Sequence, residues 1–229
     1  MLNQQKYAEA ITTFTEAIRL KPDFAEAYLN RCRAYGSLTS PSMISHSIED
    51  CDKAIQLKPN FGEAYHYRSR AYGAQRQFER AIQDYDEALR LEPGSGSIYT
   101  DRGFLYAAQN KPDLAIREYD ELIRIKPNDS YAYFARAREY NRQHRPELAI
   151  PDCNESIRLN SKSVWAYGAR ADAYRLQDKY DLAIRDYDEA IRLQPNWAEA
   201  YTSRAAAKAS LGDKAGAAAD RQRAQELRK

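Results

Sequence analysis

Three kinds of side chain in this 229-residue chain could carry chemistry: three histidines, three cysteines and a set of closely spaced carboxylates. Two imidazoles one helical turn apart, or an imidazole beside a thiol or carboxylate, would bind a divalent metal or activate a nucleophile. His46, His66 and His144 are too widely separated for any two to share a helix face, and no HExxH, P-loop or nucleophile elbow accompanies them. Asp84 with Asp86, and Asp186 with Asp188, have the composition of an acid–base pair. Their doublet recurs at a fixed interval, however, and recurrence is better explained by helix-surface and ion-pair roles. Cys32, Cys51 and Cys153 show no metal or redox spacing and are read as buried free thiols in a reducing compartment, with a Cys32–Cys51 disulfide as the alternative. Gly94-Ser95-Gly96 interrupts a helical pattern with no strand before it, so it is a joint and not a phosphate cradle. The expectation is a non-enzyme with no catalytic residues, no metal and no cofactor.

The interval that repeats the doublet is 34 residues. Residues 62–95, 96–129, 130–163 and 164–197 superpose without a gap; 25–61 joins them with three extra residues near 39–41, and 198–229 closes the series. Residues 1–24 supply a half repeat that corresponds to a second helix only. Position 4 of the repeat is Tyr28, Tyr65, Tyr99, Tyr133, Tyr167 and Tyr201; position 11 is Tyr in all but the last, which has Lys208. Ala recurs at position 20 (Ala81, Ala115, Ala149, Ala183) and largely at 27, small residues at 8, and Pro at 32. Small side chains at those points let two helices approach closely while tyrosines fill the space beside them. Pro151, at position 22 of the fifth segment, predicts a second helix that kinks or starts late, because the ring removes an N–H from the helix interior.

The pattern resembles the tetratricopeptide repeat, a helix-turn-helix with an aromatic at 4 and 11, a small residue at 8, Ala at 20 and 27 and Pro at 32. The resemblance covers essentially the whole chain and implies an all-α, right-handed α-α superhelix of about thirteen helices in one domain.

Position 7, usually a large aliphatic residue in that family, is Arg in every full repeat: Arg31, Arg68, Arg102, Arg136, Arg170 and Arg204. Position 23 is acidic in every one: Asp50, Asp84, Glu118, Asp152, Asp186 and Asp220. Position 7 lies one turn from 4 and 11, on the face that packs against the second helix, so the spacing predicts one structural ion pair per repeat.

The balance of 35 basic and 33 acidic residues, net +2, provides no field to attract nucleic acid or an anionic membrane. No apolar run approaches the roughly 20 residues of a membrane span, and the first residues read as an amphipathic helix, so a cytoplasmic location is expected. Function is left to the surface. Positions 2, 5, 9 and 12 of the first helices form one stripe, which the resemblance places in a concave groove. Along it stand Arg33, His66, Arg70, Phe104, Tyr131, Phe134, Arg138, Trp165 and Arg175, with Arg142 beside them. Aromatic anchors among arginines suit a protein or peptide partner that offers an apolar anchor and an acidic group. The Lys and Asn pattern with which co-chaperones of the family clamp a terminal carboxylate is absent: Asn30 stands alone, and no Lys occupies position 2 or 5. The expected function is a non-catalytic adaptor. The alternative is a self-assembling scaffold in which Tyr7, Ala10, Ile11, Phe14 and Ile18, on an amino-terminal helix with no cover, meet a second copy.

Overall fold

The computed structural model describes residues 2–38 and 40–228, and among them every regular element is a helix. The helices are α1 (Leu2–Leu20), α2 (Ala25–Gly36), α3 (Pro41–Leu57), α4 (Gly62–Ala74), α5 (Phe78–Leu91), α6 (Gly96–Ala108), α7 (Pro112–Ile125), α8 (Ser130–Arg142), α9 (Pro146–Leu159), α10 (Val164–Leu176), α11 (Tyr180–Leu193), α12 (Ala198–Ser210) and α13 (Lys214–Glu226). Thr39, among the extra residues of the second segment, lies outside the described residues. The chain divides into two compact units, Met1–Leu105 and Tyr106–Lys229.

From α4 onward each even-numbered helix ends in the same turn. Position 15 turns the chain with a positive φ: Arg76 (60°), Asn110 (58°), His144 (55°), Asp178 (57°) and Gly212 (84°). The next N–H reaches back to the position-11 carbonyl, as in Gln77 to Tyr72 (2.9 Å), Arg145 to Tyr140 (2.9 Å) and Asp213 to Lys208 (3.0 Å). This bond closes the first helix and turns the chain toward the second. Pro41, Pro112 and Pro146 start α3, α7 and α9, where the missing N–H costs nothing.

In each compact unit the core is built of alanines with tyrosines between them. Ala54, Ala81, Ala88, Ala115, Ala149, Ala183 and Ala190 are completely buried, as is Tyr119; Tyr85 and Tyr187 at position 24 pack opposite the small position-8 residues Ser69 and Ala171. In α2 and α3 both of those positions are cysteine. The reading of free thiols is corrected there: Cys32 and Cys51 face each other across the helix pair with Cα atoms 5.6 Å apart and form a disulfide. Cys153, at the same position 24 in α9, faces Ala137 and is a buried free thiol whose pKa burial pushes up.

The late start expected from Pro151 is likewise corrected. Helix α9 starts at Pro146, in register with its counterparts, and runs through Pro151 to Leu159. Pro151 is on the exposed face, where water can serve the Glu147 carbonyl that the ring deprives of a partner. No described helix is long and apolar enough to cross a membrane.

Candidate partner-binding surfaces

The recurrent charges are engaged inside the fold. Arg31 donates from Nε and Nη2 to both oxygens of Asp50, each at 2.7 Å. The same two-pronged bond joins Arg68 to Asp84 (2.8 and 2.7 Å), Arg136 to Asp152 (2.7 and 2.7 Å), Arg170 to Asp186 (2.7 and 2.8 Å) and Arg204 to Asp220 (2.9 and 2.5 Å). The remaining Nη1 reaches the second helix of the preceding repeat. It meets Thr15 from Arg31 (3.0 Å), Asp52 from Arg68 (2.6 Å), Asp120 from Arg136 (2.7 Å), Asn154 from Arg170 (2.7 Å) and Asp188 from Arg204 (2.6 Å). Arg102 donates to Asp86 in the same way. Glu118, in the second compact unit, is buried. Arg31, Arg68, Arg136, Arg170 and Arg204 therefore each tie their own second helix to the one before it. The acids at position 25 were visible in the sequence as the second member of each doublet, but their partner was not.

Most of these carboxylates are held in low-dielectric surroundings. Burial pushes the Asp84 carboxyl above its ordinary range even with Arg68 opposing it. At Asp220 burial is outweighed by Arg204 and by Lys208, which approaches to 2.9 Å, and the pKa falls below the ordinary value.

In the second compact unit, Tyr131 is exposed and packs edge-on against half-buried Phe134 with centroids 5.9 Å apart. Phe134 in turn rests on the core of Ala137, Ala149, Cys153, Ala169 and Ala173. Trp165 is half exposed and meets Trp197 edge-on at 5.0 Å. The Trp197 ring lies against Gly168, where any Cβ would overlap it. Arg138 and Arg142 share one completely buried carboxylate, Glu139: Arg138 Nε donates to Oε1 (3.1 Å) and Arg142 Nη1 to Oε2 (2.9 Å). Arg142 also donates to the Ala107 carbonyl and to Asn110, each at 2.9 Å. Arg175 lies 3.9 Å from Asp172, whose carboxyl burial pushes up although it accepts a 2.6 Å bond from the Tyr187 hydroxyl. Glu139 escaped the sequence reading, yet position 10 is Ala or Leu in every other repeat.

In the first compact unit, Phe104 is exposed. His66 is buried, and its Nε2 is bonded to Asp101 at 2.8 Å, beneath the surface. Beside it a cavity of about 660 Å³ opens between α1, α2, α3 and α4. Its lining contains Arg33, Arg70 and Tyr67, apolar walls from Tyr7 and Ile44, and no carboxylate. The guanidinium carbons of Arg33 and Arg70 lie 5.0 and 5.7 Å from the Tyr67 ring centroid. Arg33 makes a long 3.4 Å bond to Asn30, and Arg70 approaches Asp101 only to 3.5 Å. The groove residues expected from sequence thus fall into two sets, one per compact unit.

Comparison with known proteins identifies the repeat. A family model described as TPR repeat matches residues 2–38 and 171–212, and one described as Tetratricopeptide repeat matches 68–130 and 100–164, which together take in most of the chain. No curated protein matches it. Among solved structures the chain is similar to YrrB, described as a TPR protein with an unusual peptide-binding site, at 20% identity and a TM-score of 0.65 over 82% of this chain and 95% of that one. It is similar to Pseudomonas aeruginosa pilF at 16% identity and a TM-score of 0.75, covering 89% and 91%. A third likeness, to a chain of the APC/C hetero-tetramer Cut9–Hcn1, has 18% identity and a TM-score of 0.77, covering 99% of this chain and 44% of that one.

Proposed function

Because the chain belongs to the tetratricopeptide repeat family, a fold of protein-interaction adaptors and scaffolds that are in general non-catalytic, we propose that it is an adaptor working as a single repeat domain. It holds a peptide or helix of a partner protein against the first helices of its repeats. The observation that supports this is a division of labour among charged and aromatic residues. Arginines of position 7 are engaged inside the frame, while the stripe at positions 2, 5, 9 and 12 changes from repeat to repeat and carries Arg33, Arg70, Phe104, Tyr131, Phe134, Arg138 and Trp165. A constant frame with a varied surface is what selection of one partner requires. The partner offers an apolar anchor and an acidic group and is neither nucleic acid nor membrane. Affinity capture with wild type and with the double variants Phe134→Ala/Arg138→Ala and Arg33→Gln/Arg70→Gln tests the reading. A partner lost by at least one double variant supports it, and identical recovery by all three overturns it.

A second reading, the self-assembling scaffold, is favoured by α1, whose Tyr7, Ile11, Phe14 and Ile18 are only half covered. Static light scattering decides it: a monomer at high concentration removes the scaffold. The location we propose is cytoplasmic; the Cys32–Cys51 bridge counts against it, since a reducing compartment keeps thiols free, and so sets its test. Alkylation of the chain during denaturing extraction from its own cells would label all three cysteines in the cytoplasm; labelling of Cys153 alone overturns that location.

A further inference from the structure

We propose that the cavity of the first compact unit is an acid-anchoring site, in which Arg33 and Arg70 take the side-chain carboxylate of an internal Asp or Glu of the partner segment. The inference rests on the adaptor reading and deepens it. Its first support is charge: the lining brings together two guanidinium groups and no acid. A cation pair lined in this way leaves charge for a ligand to neutralise, and a carboxylate matches the guanidinium fork.

The second support is preorganisation. Both guanidinium groups already lie over the Tyr67 ring, and Arg33 is steadied by Asn30, whose own Nδ2 is fixed on the Glu26 carbonyl at 2.9 Å. Side chains held before the ligand arrives lose little freedom on binding. Competition inside the protein is weak: Arg33 has no carboxylate partner among the described contacts, and the acid nearest Arg70, Asp101, is held closer by His66 (2.8 Å) than by Arg70 (3.5 Å).

The third support is shape. A space of about 660 Å³ accommodates one acidic side chain with its neighbours, and Tyr7 and Ile44 supply apolar wall for the flanking residues. Arg33 and Arg70 occupy position 9 of successive repeats, so a segment lying along the stripe passes over both. A segment that runs on past both arginines presents a side-chain carboxylate to them, so an internal Asp or Glu is the occupant that fits.

The test is selection of a random dodecapeptide library, fused through its carboxy terminus so that no free chain end is offered, on the full chain. Selected peptides are then made as amides and titrated by fluorescence anisotropy. The expected result is an enriched Asp or Glu whose change to Asn or Gln weakens binding about tenfold, with a similar loss for Arg33→Gln/Arg70→Gln and a dissociation constant that rises with salt. Both arginines are exposed, so the double variant should keep the wild-type melting temperature; if it does not, the single variants take its place. Peptides that bind without an acidic position, or bind the arginine variants equally well, overturn the anchor while leaving the adaptor reading standing. Failure to select any peptide, or binding only from a parallel library with free carboxy termini, overturns it too.

Discussion

Arg33 and Arg70 in the first compact unit and Arg138 in the second all stand at position 9 of their repeats, with Arg142 one turn on at position 13, yet the two pairs are in different chemical situations. Behind the second pair stands Glu139, a carboxylate with no exposure at all, and both arginines bend to it. At the corresponding position 10 the first compact unit has Ala34 and Ala71, and its arginines face a cavity instead. A buried acid cannot remain uncompensated in a low-dielectric interior, so it takes the nearest cations before any ligand can. An arginine on this stripe is therefore only as available as the residue at position 10 allows. Under the proposed function the aromatic patch of Tyr131, Phe134 and Trp165 would contribute contact area, and the first-unit cavity would contribute charge.

Substitutions can break this contrast or sharpen it. The largest effect belongs to arginines engaged on two sides. Arg136→Met leaves Asp152 buried and unpaired and should lower the unfolding free energy by about 3–5 kcal/mol, measured by urea denaturation. Next comes Glu139→Gln, which leaves Arg138 and Arg142 without their shared charge. Because those two are more than a third exposed, water takes up part of the loss, and about 1–3 kcal/mol is expected. If Glu139→Gln were neutral, Arg138 and Arg142 would be as available as Arg33, and the contrast would fail.

A smaller effect depends on pH. The folded Asp220 carboxyl titrates below its unfolded value, so its contribution is present above the ordinary aspartate range near about 3.9 and is lost as pH falls through the folded value. Asp220→Asn should thus destabilise the chain at pH 7 and match wild type in acid, as melting curves at the two pH values would show; a pH-independent difference would contradict it. The smallest effect is Arg33→Met, which should change the melting free energy by no more than about 0.5 kcal/mol. A loss comparable to that of Arg136→Met would mean that Arg33 supports the frame and is not held in reserve.

Much of this was legible in the residues because the repeat supplies its own comparison. The alanines of positions 20 and 27 and the tyrosines of 4 and 11 announce two packed helices through agreement among copies. Glu139 carries the opposite kind of signal, a single disagreement at position 10, and a reading tuned to agreement passes over it. The left-handed turn at position 15 was not legible at all. Arg76, Asn110, His144 and Asp178 share no side-chain property, and their conformation is imposed by the bond that closes the preceding helix. Pro151 misled because its cost depends on whether water can reach one carbonyl, and periodicity does not report that. The cavity needs side chains from four helices to converge, which no linear pattern can express.

The bridging arginines have a consequence for how such a chain can change in length. Arg68, Arg136, Arg170 and Arg204 each find one partner sixteen residues ahead and another sixteen behind. Copying or deleting any whole 34-residue segment preserves both distances at the new junction, so every donor still meets an acceptor. The second segment shows a further freedom: Arg31 reaches Asp50 across nineteen residues, and α3, at 17 residues against 14 in α5, takes up most of the added length. Gene duplication and unequal crossing-over thus act on a chain whose junctions are interchangeable, and the array can be lengthened or trimmed to suit a partner without inventing a new interface.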